Sequence, residues 1–313
     1  MMVEHALAGL PGAEVHRIGT SGGELAVAVA GDGPVVLFLH GFPTSSFLWR
    51  NLAPGVWMNG MRVVVPDLLG YGASEKPERV ALNPRAQAGY VREALLHIGV
   101  NGCAVVGHDV GGAVAQLLAL DHGGAEALVL LDAAAFDAWP IEGVRMLQQA
   151  TPDQQTASFA AEVIDLAIEL GVSHRERLTE DVRAAYRAPF AGEDGARAFF
   201  RAAGSIDGAG LVGREADLEA LGAPALLLWG EDDPYLAVEV GERLQEAMPK
   251  ASLAVLPGCS HLLPEDAPET VGPLVTEWLA SQYLGRRHGH ADDHAHGGPS
   301  GPVPIEIRPF RGD

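Results

Sequence analysis

Cysteine is scarce in this chain: Cys103 and Cys259 are the only two among 313 residues. That rules out a disulfide framework as the source of stability and makes a reducing compartment the expected one. Positive charge is also short. Lys and Arg number 21 against 41 Asp and Glu, a formal net charge of -20. Phosphate binding needs a basic face, so nucleic acid and anionic membrane are excluded as partners. The acidity reads first as solubility, and second as a bias toward neutral or cationic substrates. Long uncharged apolar runs of membrane-spanning length are missing. The opening Met1-Met2-Val3-Glu4 has no basic segment leading into an apolar one. Neither a membrane span nor a signal peptide is expected, and the cytoplasm is the expected address. Outside the last 28 residues no histidine pair has metal-ligand spacing, so no metal and no other cofactor is expected.

Apolar residues are plentiful, at 48 %, enough for a sizeable core in one large domain with an insertion. Short apolar runs bounded by Gly, Pro and Asp occur at 34–39, 61–65, 103–106 and 127–131. Each is continuous rather than alternating, the pattern of strands covered on both faces in a parallel sheet. Helix-like stretches at 85–98 and 110–122 lie between them, so the expected fold class is α/β and doubly wound. From 136 to 213 the strand signals stop and helical periodicity takes over, at 156–170 and 179–187, with a loop expected at 191–195. Strands resume at 225–229 and 252–256, and 264–284 reads as one long amphipathic helix. The expected organisation is a core of 1–135 and 214–285, a helical cap of 136–213, and a tail of 286–313. The tail is rich in Gly, Pro and His and lacks periodicity, so it reads as disordered. His288, His290, His294 and His296 could bind Zn²⁺ or Ni²⁺ there, but a solvated tail is the preferred reading.

The strongest local signal is Gly107-His108-Asp109-Val110-Gly111. It sits between a strand and a helix, the context of a nucleophile elbow, with Asp in the serine position. An ionised carboxylate needs no activation to attack a saturated carbon bearing a leaving group. The competing reading of Asp109 is a helix cap. Partners follow in the order acid, then histidine. Asp233 lies in Gly230-Glu231-Asp232-Asp233-Pro234, directly after a strand, and His261 lies in Gly258-Cys259-Ser260-His261 after the last one. Asp132, at the end of an earlier strand, is the alternative acid. His40-Gly41-Phe42-Pro43 follows the first of the listed runs. Backbone N–H groups of Phe42 and Val110 are placed to form an oxyanion hole, and His40 reads as structural.

These residues resemble the aspartate-nucleophile branch of the α/β-hydrolase superfamily, over roughly residues 14–284. The stretch from His40 through Thr44, Trp49 and Asn51 is similar to haloalkane dehalogenases. So is Asp67-Leu68-Leu69-Gly70-Tyr71-Gly72-Ala73-Ser74-Glu75-Lys76-Pro77. The resemblance implies an α/β-hydrolase fold with a helical cap and a two-step hydrolysis. Asp109 would form a covalent ester, and water activated by His261 would cleave it. Two departures stand out. Where haloalkane dehalogenases place a halide-binding Trp and Asn, this chain has Val110 and Phe42, which leaves Trp139 to supply an indole N–H. Where epoxide hydrolases carry a cap tyrosine before an arginine, it has Phe200-Arg201, with Tyr186 the single tyrosine of the insertion. Trp139, Tyr186 and Phe200 are thus the candidate substrate-binding residues. The expected activity is that of a haloalkane or haloacid dehalogenase, followed by epoxide hydrolysis, then by non-catalytic ligand binding on the same fold. The expected partner is a neutral, apolar small molecule.

Overall fold

The structure, a computed structural model, describes Leu10 and residues 12–285. The disordered-tail reading and its histidines lie outside the described residues. Among the described residues eight strands form one sheet. They are β1 (Glu14–Thr20), β2 (Gly23–Ala30), β3 (Val35–Leu39), β4 (Arg62–Pro66), β5 (Cys103–Asp109), β6 (Ala125–Ala133), β7 (Ala225–Gly230) and β8 (Ala251–Leu256). Their spatial order is β1-β2-β4-β3-β5-β6-β7-β8. β1 and β2 are antiparallel to each other, β2 is antiparallel to β4, and every later pair is parallel. The central strands are buried on both faces, which is why they read as continuous apolar runs. β1 escapes a search for such runs because most of its residues are exposed or half-buried, His16 and Arg17 among them.

The chain leaves β3 toward β4 on one side and returns to β5 on the other. That reversal is the switch point at which open α/β sheets bind ligands, beyond the carboxyl ends of the strands. The stretches expected as helices at 85–98 and 110–122 become α2 (Pro84–His97) and α3 (Val110–Leu117), the latter widening into a π turn at Leu118–His122. An earlier short helix, α1, covers Ala53–Met58.

Between β6 and β7 lies the helical insertion. It contains α4 (Glu142–Gln148), α5 (Ala157–Leu170), α6 (Glu180–Arg187) and α7 (Gly192–Ser205), and α8 (Glu215–Leu221) leads back to the sheet. On α5, Ala160, Ile164 and Ile168 are buried at a spacing of four, one face of the helix. Thr156 caps its N-terminus by accepting from Phe159 N–H. The loop expected at 191–195 is instead the first turn of α7. Gly195 belongs there because a Cβ would stand 2.3 Å from the carbonyl carbon of Phe190. The single helix expected over 264–284 is also corrected. It breaks at Ala267 into α10 (Leu263–Asp266) and α11 (Pro268–Leu279), then ends in a π turn at Ala280–Leu284. Pro268 has no N–H with which to continue the first turn. The remaining helix, α9 (Val238–Ala247), covers β7 and β8.

Two adjacent carboxylates on α10 fasten the insertion to the core. Glu265 pairs with both terminal nitrogens of Arg50, one at 2.7 Å, and also accepts from the hydroxyl of Tyr186 on α6. Asp266 accepts from the backbone N–H groups of Ser173, His174 and Ser260, at 3.0, 2.8 and 2.6 Å, and meets His174 Nδ1 at 2.7 Å. Both carboxyl groups are buried, and burial is tolerable because each has several hydrogen-bond donors.

Candidate active site

β5 ends on Asp109 and α3 begins on the next residue. Asp109 has φ 51 and ψ -122, a strained conformation for a residue with a Cβ. The turn is tight enough to exclude side chains on either side of it. A Cβ on Gly107 would stand 2.6 Å from the Gly111 oxygen, and one on Gly111 would stand 2.1 Å from the Leu39 oxygen. Pairing of β5 with β3 and β6 holds the strained turn in place. Oδ2 of Asp109 accepts from Phe42 N–H at 2.9 Å, and the N–H of Val110 also bonds the carboxylate. The two N–H groups expected to form an oxyanion hole thus converge on this side chain. Burial raises the Asp109 pKa, and the charge of Asp233 adds to it. His261 and the two N–H groups oppose the rise without cancelling it.

His261 sits on the turn after β8, with Nδ1 2.8 Å from Asp233 Oδ2 and Nε2 4.0 Å from Asp109 Oδ1. With Nδ1–H donating to Asp233, a neutral ring presents its Nε2 lone pair toward Asp109. Asp233 is fixed in turn, its Oδ1 accepting from the N–H groups of Tyr235 and Leu236 at 2.8 and 3.1 Å. Burial pulls the His261 pKa down, but the charge and hydrogen bond of Asp233 and the charge of Asp109 outweigh it, and the net shift is upward. Asp132, next to last in β6, has its own positive φ of 41 and is fully buried, its Oδ1 accepting from Gly230 N–H at 2.8 Å. The structure therefore brings Asp109, His261 and Asp233 into one line, with Asp132 behind Asp233.

Two neighbouring histidines do structural work. His40 Nε2 accepts from Leu68 N–H at 3.0 Å, and its Nδ1 meets Gly41 O at 2.9 Å. His108 Nε2 lies 2.9 Å from the backbone oxygen of His261, so it steadies the turn carrying that ring. His108 was not singled out in the sequence, where only its place beside Asp109 distinguishes it.

A cavity of about 370 Å³ opens above Asp109 between core and insertion. Asp109, His261, Thr44, Tyr186 and Tyr235 line it, among a wall of side chains that includes Phe42, Trp139, Ile164, Ile168 and Leu262. No Lys or Arg is among the lining residues. Of the three residues proposed to meet substrate, Trp139 and Tyr186 reach the wall. Phe200 does not. It stands a layer back, stacked on Phe159 with ring centroids 5.9 Å apart. Tyr186 gives its hydroxyl to Glu265, and Tyr235, unnoticed in the sequence, gives its own to Ala167 O at 2.9 Å. The buried indole N–H of Trp139 finds no acceptor among the described residues. Met146, Leu166 and Leu170 both line the cavity and are 66 %, 58 % and 45 % exposed, so they mark its mouth.

The chain matches the family model of the alpha/beta hydrolase fold over residues 34–268. It is 27 % identical to haloalkane dehalogenase 2 of Mycobacterium tuberculosis over 268 residues, which covers 82 % of this chain and 92 % of the relative. It is 35 % identical to the soluble epoxide hydrolase of Corynebacterium sp. over 159 residues, 47 % of this chain and 55 % of that one. Among solved structures, an alpha/beta hydrolase fold protein from Burkholderia ambifaria superposes with a TM-score of 0.75 at 28 % identity, covering 84 % of this chain and 97 % of the other. The chain belongs to the α/β-hydrolase-fold family, and the relatives it resembles there include haloalkane dehalogenases and an epoxide hydrolase.

Proposed function

We propose that the protein hydrolyses a neutral, apolar haloalkane through a covalent ester on Asp109. The observation that carries this reading is the alignment of an ionisable carboxylate, a histidine 4.0 Å away and a buried acid behind it, at the floor of an apolar cavity. Asp109 attacks the carbon bearing the halogen. A C–O bond forms, the carbon–halogen bond breaks, and halide departs with the bonding pair. His261 then takes a proton from water as the water oxygen adds to the Asp109 carboxyl carbon. The N–H groups of Phe42 and Val110 hold the oxyanion; its collapse expels the alkoxide, which takes the proton from the His261 imidazolium and leaves as the alcohol, and Asp109 returns to its carboxylate by losing the second water proton to solvent.

The charges around His261 time these steps. Before the first step the negative Asp109 favours the protonated ring. Esterification removes that charge, so His261 becomes a readier base once a base is required. The lining offers no Lys or Arg to a carboxylate, which supports a haloalkane over a haloacid. The unpaired N–H of Trp139 supports halide as the leaving group. Epoxide hydrolysis is the second reading, supported by Tyr186 and Tyr235 in the cavity wall. It requires one of those hydroxyls to leave its present partner and face an epoxide oxygen.

The test is a trapped intermediate. His261→Gln, mixed with a bromoalkane, should release one halide per site and accumulate an alkyl adduct on the peptide containing Asp109. Ester hydrolysis should slow by on the order of 10²- to 10⁴-fold. Asp109→Ala should give neither adduct nor turnover. In ¹⁸O-water, a single turnover of the unaltered enzyme should yield mainly ¹⁶O alcohol. Label in that first product would mean that water attacks the substrate directly. A parallel panel of epoxides, read by diol formation, separates the two substrate readings. No turnover of either class, with no adduct, would favour a ligand-binding protein.

A further inference from the structure

Four ionisable groups meet at the carboxyl ends of β5, β6 and β7 and the turn after β8: Asp109, Asp132, Asp233 and His261. Three anions against one histidine is an unfavourable count in a buried site. Asp132 is the member whose hydrogen bonding is incomplete. Its Oδ1 is satisfied by Gly230 N–H. Its Oδ2 is fully buried and finds no N–H or O–H donor among the described residues, while the carboxylate of Asp233 lies within hydrogen-bonding reach. A carboxylate only accepts, so two ionised carboxylates facing each other repel. A protonated one has an O–H to give. Both oxygens of Asp233 already accept, from two backbone N–H groups and from the ring N–H of His261. The proton therefore belongs on the partner. The backbone of Asp132 is also strained, at φ 41, at a strand end where a smaller or more permissive residue would relieve it.

We propose that Asp132 is a neutral carboxylic acid whose O–H donates to Asp233, a positioning residue for the triad rather than an alternative to its acid. The inference rests on the assignment of Asp233 and His261 as acid and base. Burial first, and then the charge of Asp233, hold the Asp132 carboxyl well above the usual range, consistent with that state. Asp132 thereby does two things. It completes the hydrogen bonding of Asp233 and fixes its rotamer, and it draws electron density from Asp233. With its charge partly taken up by that O–H, Asp233 holds the imidazolium of His261 less tightly, which keeps the ring neutral at lower pH. The titratable groups facing the pair are Asp109 from β5, Tyr235 after β7, and His261 and Cys259 after β8.

The first test needs no substrate, so it is independent of whether a halide or an epoxide is turned over. The infrared spectrum of the unaltered protein at neutral pH should contain the C=O band of a protonated carboxyl, shifted by D₂O and missing from Asp132→Asn. A spectrum in which Asp132→Asn removes no such band overturns the proposal. The second test reads the pH profile of ester hydrolysis. Asp132→Val removes the donor, so the pKa of His261 should rise. Hydrolysis needs the neutral ring, so the acidic limb should move to higher pH, by about half a unit to one unit if part of a charge-assisted hydrogen bond is transmitted. Asp132→Asn, whose amide can still donate to Asp233, should fall nearer the unaltered enzyme than Val does. Equal profiles for all three proteins would reduce Asp132 to packing and overturn the proposal. So would a loss in Asp132→Asn as deep as that in Asp233→Asn, which would make Asp132 the ionised acid.

Discussion

At the scale of one residue, a single unpaired N–H bears on the proposed leaving group. Trp139 lines the cavity, and its indole nitrogen has no acceptor among the described residues. A buried donor left without a partner costs about 1–3 kcal/mol, and an anion beside it recovers that cost. Trp139→Phe keeps the aromatic wall and removes the donor. With a chloroalkane, kcat/KM should fall by about 10- to 100-fold, from the loss of one charge-assisted hydrogen bond in the transition state. Quenching of protein fluorescence by added bromide should weaken in the same variant. A variant as active as its parent, with quenching intact, would remove Trp139 from the halide site. The same scale shows why Phe200 is a poor position for an epoxide-opening hydroxyl. Placed behind Phe159, a tyrosine there would point into packed apolar side chains.

Among the elements, α6 and α10 share one carboxylate, and the hydroxyl of Tyr186 is the cap's side of that joint. Tyr186→Phe deletes this bond and leaves the Arg50–Glu265 pair standing. It should destabilise the protein by about 1.5–3 kcal/mol, the range for a hydrogen bond to a charged group, as read from urea unfolding. Amide exchange over Glu180–Arg187 should quicken more than over β5. Equal protection in Tyr186→Phe and the unaltered protein would mean that the joint does not restrain the cap. The joint also marks where sequence reading stops. Buried strands and the turns after them are local features. An apolar run of five residues, or a carboxylate between two glycines, carries its meaning within a short window. Tyr186 and Glu265 stand 79 residues apart, and His108 and the His261 oxygen 153 apart. No spacing announces such a meeting. The helix break at Ala267 was legible in Pro268, yet the apolar periodicity across it reads as a single helix. Asp132 stays open as an alternative to Asp233 in the sequence because both stand at strand ends. The choice of partner for His261 Nδ1 depends on how β6 and β7 pair, through Gly230 and Asp132, and a linear sequence does not encode that visibly.

At the scale of the whole molecule, a net charge of -20 surrounds a cavity with no cationic lining. Such a field lowers the local concentration of anions and is screened by salt over a Debye length of about 8–10 Å near physiological ionic strength. A chloroalkane should therefore be processed with a kcat/KM nearly independent of added NaCl. A chloroacid of the same length should start far lower and gain several-fold as salt rises. Equal salt dependence for the two would separate the surface charge from substrate choice. The same field acts in the opposite sense on what the reaction leaves behind. A halide released beneath Met146, Leu166 and Leu170 is a small anion at the base of an oily passage, with an acidic exterior around it. Carbon and oxygen products depart by diffusion alone, but the ion is repelled from re-entry. In the proposed reaction, back-reaction and halide inhibition would then be held down by an electrostatic check valve that spans the whole surface and belongs to no catalytic residue.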